Sequence, residues 1–475
     1  MTIDRFVRSF SAVLAAALLL AATAAQAGAD FVIYNADRPG EGFNDPTPAA
    51  PVGGNPGTTL GQQRLNAFQH AAGVWGASLS SVVPITILAN FDPLTCTATS
   101  AVLGSAGPRF VFSDFPGAPV AGTWYHASLT SKLYGDDPVP GEPMIAARFN
   151  SELGKPGCLT GSPFYLGLDG NHGDAIDLVT VLLHEFAHGL GFSTVTNGGT
   201  GAQLAGQPSI YDHFAYDNTL GKTWVAMTDA ERAFSAINPR QLAWNGPSVT
   251  GAVPSVLQRG TAVVDAAAPT AVKGRYLVGE AAFGAPFDVE GVDRQVAPVV
   301  EAGTLGTACL PFDAYNRRAV KERIAMVFRG ACPFTTKVKN AQDAGAKAVL
   351  VVDNILASPP AGLGGADPTI FIPSGRITFA DGVKLLDAMR LTDGGRSSGV
   401  VVKMALDRKQ RAGADRAGRA LLYTPDPRLA GSSVSHWDDS ASPNQLMEPA
   451  INADLVHVVD TPRDLTMSLM RDIGW

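Results

Sequence analysis

Charge is scarce in this chain, and what there is does not gather. Only 17% of the 475 residues are Asp, Glu, Lys or Arg, the net charge is −7, and no Lys/Arg cluster stands out. A surface that neutralises phosphates needs such a cluster, so nucleic acid is not expected as a partner. Cysteine is scarcer still, with four residues and no CxxC pair, which argues against a thiolate metal cluster. Internal repeats are missing, as is any G-x-S-x-G elbow of a serine hydrolase. Beyond the N-terminus no stretch is apolar enough to span a bilayer.

What is present begins with an address. Arg5 and Arg8 precede an apolar run from about Phe10 to Ala22, and Ala25-Gln26-Ala27 fits a small-residue cleavage site. Residues 1–27 therefore read as a secretory signal peptide, with the mature chain starting near Gly28 and ending up secreted, extracellular or periplasmic. In an oxidising compartment four cysteines suit two disulfides, for which three pairings are open. The nearest-neighbour pairing, Cys96–Cys158 and Cys309–Cys332, keeps each bridge inside one proposed unit. A hydrophobic fraction of 46% over this length supports two or three domains, and 51 glycines with 33 prolines imply many turns.

Periodicity locates the elements. A short apolar stretch, Phe31 to Tyr34, precedes a Pro/Gly-rich irregular run from about Pro39 to Thr59. Leu60 to Leu79 has helical spacing through Leu65, Phe68, Ala72 and Trp75, while Val83–Phe91 and Phe164–Leu168 read as strands. A second helix is expected from an Asp174 N-cap, with Ile176, Val179, Leu183 and Phe186 as its apolar stripe and Gly189 as its stop. From about Ser255 to Asp407 the texture changes to short Val/Ile/Ala-rich strands and Gly-rich turns, followed by an Arg-rich stretch to Arg419 and a closing helix over 462–472.

The second helix ends in HEFAHGLGFST, residues 184–194. Positions i and i+4 share a helix face, so His184 and His188 can present two imidazoles to one ion, with Glu185 beside it to take a proton from a bound water. The following GLGFS is no dinucleotide loop, because it follows a helix instead of a strand. Two histidines leave the site one ligand short. Thr194 is a poor zinc ligand, no downstream helix offers a Glu-bearing motif, and by spacing alone His213 and His436 both remain open.

HEFAHGLGF, followed far downstream by SHWDDSASPNQLMEP (435–449), resembles the leishmanolysin branch of the metzincins. The resemblance implies a third histidine ligand at His436, a general base at Glu185, a turn glycine at Gly191 and a Met-turn at Met447, which underlies the metal without binding it. It covers about residues 60–195 loosely and 430–475 well, and it departs from leishmanolysin in the separation of 248 positions from His188 to His436. No cysteine lies between Gly28 and the first helix, so a cysteine switch is not expected.

Part of that separation has a resemblance of its own. RIAMVFRGACPFTTKVKNAQDAGAKAVLVVDN (323–354) and IPSGRITFADGVKLL (372–386) are similar to a protease-associated (PA) domain. That family is non-catalytic, implies a lid or an interaction surface for substrate or partner, and often pins its R-G-x-C-x-F turn with a disulfide, here Cys309 with Cys332. The expected fold is α+β: a metzincin-like protease domain (28–254 and 408–475) with a twisted sheet, a zinc helix and a C-terminal Met-turn and helix, interrupted by an inserted α/β PA domain (255–407). The expected function is an exported endopeptidase with one catalytic Zn2+, acting on protein or peptide. Two rivals stand beside it: a catalytically silent secreted binding or adhesion protein, and a zinc amidase acting on cell-wall peptides.

Overall fold

The computed structural model describes residues 28–301, 304–389 and 397–475; the expected signal peptide, residues 1–27, lies outside the described residues. The first part of the chain runs through strand β1 (Phe31–Asn35), helix α1 (Leu60–Ser78), strands β2 (Ile85–Asp92) and β3 (Gly104–Pro108), helix α2 (Ala127–Tyr134) and strand β4 (Ile145–Asn150). The sheet order is β1-β2-β4-β3, parallel except for β3, which lies antiparallel at the edge. Along β2 the buried residues Ile85, Ile87, Ala89 and Phe91 alternate with half-buried ones, the two-residue period of a sheet with one face in the core. Thr59 caps α1 by accepting from the Gln62 backbone N–H.

Helix α3 (Leu178–Leu190) is buried along its whole length, as its nearly all-apolar sequence requires. Its start and end differ from expectation. Asp177, not Asp174, is the N-cap, its carboxylate accepting from Val179 N at 3.2 Å and Thr180 Oγ1 at 2.7 Å. The preceding Ile176–Asp177 pairs as a short parallel strand with Phe164–Tyr165, so the strand expected to reach Leu168 stops at Tyr165 and the helix starts later. At the other end Gly189 stays helical, and Gly191 forms the cap with φ +133. The glycine at 189 answers to packing: a Cβ there would lie 2.5 Å from Ile145 Cγ2 on β4.

After helix α4 (Pro247–Val256) the chain enters a second sheet through β5 (Arg259–Ala268), β6 (Gly274–Tyr276), β7 (Gly279–Glu280), β8 (Val292–Pro298), β9 (Ile324–Phe328), helix α5 (Phe334–Asp343), β10 (Ala348–Val352), β11 (Ser374–Ile377), helix α6 (Phe379–Asp387) and β12 (Val401–Arg411). The strand order is β6-β5-β12-β8-β9-β10-β11-β7. Strands β9 and β10 are buried at every position, the pattern of parallel strands covered on both faces. Strand β12 runs to Arg411, past the expected change at Asp407, because its polar residues still pair with Arg259–Thr261 of β5. Disulfides join Cys96 to Cys158 and Cys309 to Cys332.

The antiparallel pair β5–β12 carries the chain into and out of this sheet at one place, so Ala412 N donates to Gln258 O at 3.1 Å. The remaining chain rejoins the first core, which includes Ala414, Leu422, Trp437, Met447 and Leu469 alongside Phe68, Trp75 and Phe186. It closes with helix α7 (Thr466–Ile473), later than the expected start at Pro462, since Asp464 is engaged by Leu446 N and Thr466 N. Asp472 on α7 accepts from Trp244 Nε1 and Ser248 N, and Trp475 Nε1 donates to Leu190 O at the end of α3. Among the described residues no helix is long and apolar enough to cross a membrane.

Candidate metal centre

His184 and His188 lie one turn apart on α3, and the segment after β12 brings His436 to them. The three Nε2 atoms form a nearly equilateral triangle: 3.2 Å from His184 to His436, 3.2 Å from His184 to His188 and 3.3 Å from His188 to His436. All three residues are buried. Each Nδ1 meets a main-chain carbonyl at 2.8 Å, His184 at Leu446 O, His188 at Phe192 O and His436 at Ser432 O.

Those carbonyls decide the tautomers. A carbonyl oxygen only accepts, so each Nδ1 carries its ring proton and each Nε2 of the neutral ring presents a bare lone pair. Burial first, and then the neighbouring imidazole, holds His184 down to about 3; burial holds His188 down to about 4. His436 is pushed well below the ordinary imidazole range by burial and by both other rings. Three lone pairs therefore face one another with no proton between them, an arrangement that repels itself until a cation is supplied. The spacing suits one: nitrogens about 3.3 Å apart are what a tetrahedral ion with ligands at about 2.0–2.1 Å needs, the bond length of zinc to histidine. Among the described residues this is the one group of His, Cys, Asp and Glu whose donor atoms converge in this way. The donor set fits Zn2+.

Glu185 is buried beside its histidine neighbour, with burial pushing its carboxyl up to about 8 while the Ala106 backbone N–H on edge strand β3 pulls the other way. The residues beneath the histidines form a tight turn. Met447 is fully buried, Trp437 N donates to Met447 O at 2.8 Å, Gln445 N donates to Glu448 Oε1, and Leu446 N donates to Asp464 Oδ2. The carbonyl that holds His184 thus belongs to the residue just before Met447.

Gly191 permits the turn out of the helix: a Cβ there would lie 2.6 Å from Ile473 Cδ1. Thr194 is engaged elsewhere, its hydroxyl donating to buried Asp212 at 2.6 Å and its N–H to Ser435 Oγ at 3.3 Å, next to His436. His213, the other histidine open on spacing, meets Thr123 Oγ1 through Nε2 at 3.0 Å and stays outside the triangle. Sequence reasoning missed the carbonyls of Phe192, Ser432 and Leu446, for which no side-chain signal exists. It also missed Asp212 and the His457–Asp177 contact of 2.5 Å at the helix N-cap.

Comparisons with known proteins address the inserted sheet. The PA domain family model matches residues 295–385, so the chain contains a PA domain. Over 47 residues the chain is 47% identical to receptor homology region, transmembrane domain- and RING domain-containing protein 1 of Oryza sativa subsp. japonica, which is 10% of this chain and 9% of that protein. The chain thus spans about a tenth of the curated relative it matches. Among solved structures, the zinc aminopeptidase BSAP from Bacillus subtilis is 20% identical, with 34% of this chain and 36% of that one covered at a TM-score of 0.23. The aminopeptidase from Aneurinibacillus sp. strain AM-1 is 15% identical, with 42% of each chain covered at 0.23. The peptidase M28 precursor from Shewanella amazonensis SB2B is 12% identical, with 48% of this chain and 50% of that one covered at 0.22. Similarity this low carries no argument about the site. What stands is a mixed α/β chain that contains a PA domain and three converging buried histidines.

Proposed function

We propose that the chain is an exported zinc-dependent endopeptidase of metzincin type, leishmanolysin-like in its ligand order, with a PA domain inserted between the second and third ligands. The observation that carries this reading is the triangle of Nε2 atoms whose Nδ1 partners are all carbonyls. His184, His188 and His436 would hold one Zn2+ through Nε2, and the ion when bound supplies the positive charge that acidifies a water and polarises a peptide carbonyl. Met447 would shape the floor without binding.

The remaining steps belong to the chain's own groups. Glu185 accepts the proton of the attacking water on its carboxylate and returns it to the departing amide nitrogen, base first and acid second. A carboxyl raised by burial is suited to both, and a cation beside it favours the charged form needed for the first. Strand β3 lies at the open edge of the sheet, with Ala106 against Glu185, so its outer backbone groups can pair with an extended peptide and fix the scissile bond. The two disulfides suit an oxidising compartment, in keeping with export.

Glu185→Gln removes the proton acceptor while leaving the histidines in place. Casein hydrolysis by the variant is expected to fall by about 10²–10⁴-fold while one zinc per chain is retained by elemental analysis. Near-normal turnover would eliminate Glu185 as the base. Wild-type protein that binds zinc yet cleaves neither casein nor cell-wall peptides would favour the silent binding protein instead.

A further inference from the structure

The third histidine sits on a loop that another part of the molecule grips. Tyr423 to His436 leave and rejoin one place: Tyr423 N donates to His436 O at 2.9 Å, and Val434 N donates to Tyr423 O at 2.7 Å. Within the loop, Leu429 to Ser433 close on themselves, because Ser432 N and Ser433 N both donate to Leu429 O and Leu429 N donates to Ser433 Oγ. Ser432 O is the carbonyl that holds His436 Nδ1. The grip is at the other end, where Ser358 N donates to Asp426 O and Asp426 N donates to Ser358 O, both at 2.7 Å. Among the described residues this reciprocal pair is what ties the Pro425–Ser433 main chain to another segment. Ser358 lies between β10 and β11, inside the stretch matched by the PA domain model.

Side chains brace the same loop from the protease side. Thr424 Oγ1 donates to Asn238 O at 2.8 Å, and Arg428 lies against Gly198 and Gly199, just beyond the turn that follows α3. The loop is thus held between the two parts of the molecule, and the closed turn Leu429–Ser433 lies between the Asp426 contact and Ser432 O.

We propose that the Ser358–Asp426 main-chain pair makes the PA domain a positioning element of the metal centre, setting the orientation of His436 through Ser432 O. The inference rests on the zinc reading of the three histidines. An outer partner that orients a ligand ring contributes about 10–100-fold in metal affinity, and here the outer partner is itself held by the inserted domain. The Ser358 hydroxyl makes no hydrogen bond among the described residues, so the two main-chain bonds are the contact to test.

Three full-length variants test it, with zinc affinity read by competition against a chromophoric chelator. Ser358→Pro deletes one donor of the pair and is expected to weaken zinc binding by about tenfold. Ser358→Ala keeps both main-chain bonds and is expected to match wild type. The double variant S358C/D426C links the two segments covalently, as a reciprocally bonded antiparallel pair with Cα atoms about 5.5 Å apart allows. Its oxidised form is expected to release zinc more slowly than oxidised wild type, a comparison that keeps both native disulfides intact and does not depend on the proline variant folding. The proposal is overturned by a folded Ser358→Pro protein with wild-type affinity, by equal losses in Ser358→Ala and Ser358→Pro, or by a cross-link that leaves zinc release unchanged. A wild-type chain that binds no zinc would overturn the metal reading itself, a result distinct from a zinc-binding chain indifferent to Ser358.

Discussion

At the scale of single residues, the site turns on which atoms are left free. The carbonyls of Leu446, Phe192 and Ser432 take the three Nδ1 protons, and that leaves three Nε2 lone pairs converging at 3.2–3.3 Å. Thr194 cannot join them, because Asp212 holds its hydroxyl at 2.6 Å. His213 is likewise occupied by Thr123. His436→Ala should therefore abolish stoichiometric zinc binding, whereas His213→Ala should keep one zinc per chain; elemental analysis of the two purified proteins decides. Loss of zinc in the His213 variant alone would reverse the ligand assignment. The HExxH pair was legible in the sequence because i and i+4 fall on one helix face. The choice between His213 and His436 was not legible from spacing, since the chain between ligands obeys no periodicity.

At the scale of elements, helix α3 shows how a boundary misreading hid a packing constraint. Asp174 and Asp177 are both plausible caps in sequence, and the strand pairing of Ile176–Asp177 with Phe164–Tyr165 selects the later one. That pairing is non-local, so no helical periodicity announces it. Asp177 also receives His457 Nε2, which pins the C-terminal segment to the start of α3. Gly189 looks like a helix stop in sequence, yet it is interior, and β4 passes too close for a side chain. Gly189→Ala should raise helix propensity and still destabilise the protein, since the new methyl must displace Ile145. The expected loss is about 1–3 kcal/mol by denaturant unfolding. A gain in stability would show that Ile145 moves aside freely.

At the scale of the whole molecule, the long interval between His188 and His436 is bridged by geometry. Strands β5 and β12 lie side by side, so the chain returns beside Gln258, the residue before it left, and joins the first core again. Four buried histidines then share one region. Burial, with the neighbouring His188, holds His126 near 4, alongside His184 near 3, His188 near 4 and His436 lower than its usual range. These rings are neutral in the folded metal-free chain, but they protonate in the unfolded chain near the ordinary value of about 6.5. At these rings the unfolded state therefore binds more protons as pH falls, which costs the metal-free fold stability from about pH 6.5 down towards 4. Burial acts with the opposite sign at Glu185 and Glu448, raised to about 8 and about 9, which keep protons in the fold that the unfolded chain has released, so the contribution of the rings is read as a difference. Melting temperatures of chelator-treated wild type should fall more steeply between pH 7.5 and 4.5 than those of chelator-treated His436→Ala, which lacks one of the four rings. Parallel profiles would mean that the rings accept protons without unfolding.

The amino-acid sequence by itself determined the local facts: a helix with His184, Glu185 and His188 on its last turns, and a PA-like segment with its own strand and helix rhythm. These follow from side-chain period and local backbone preference, which act over a few residues. The family resemblance already pointed to His436, and the tertiary structure brings its Nε2 to those of His184 and His188; tertiary structure alone decided which aspartate caps the helix and why residue 189 must be glycine. It also placed Ser358 of the inserted sheet against Asp426 in the loop that carries His436. Those outcomes rest on main-chain hydrogen bonds and close packing between segments far apart in the chain, and such contacts leave no signature in the order of the side chains.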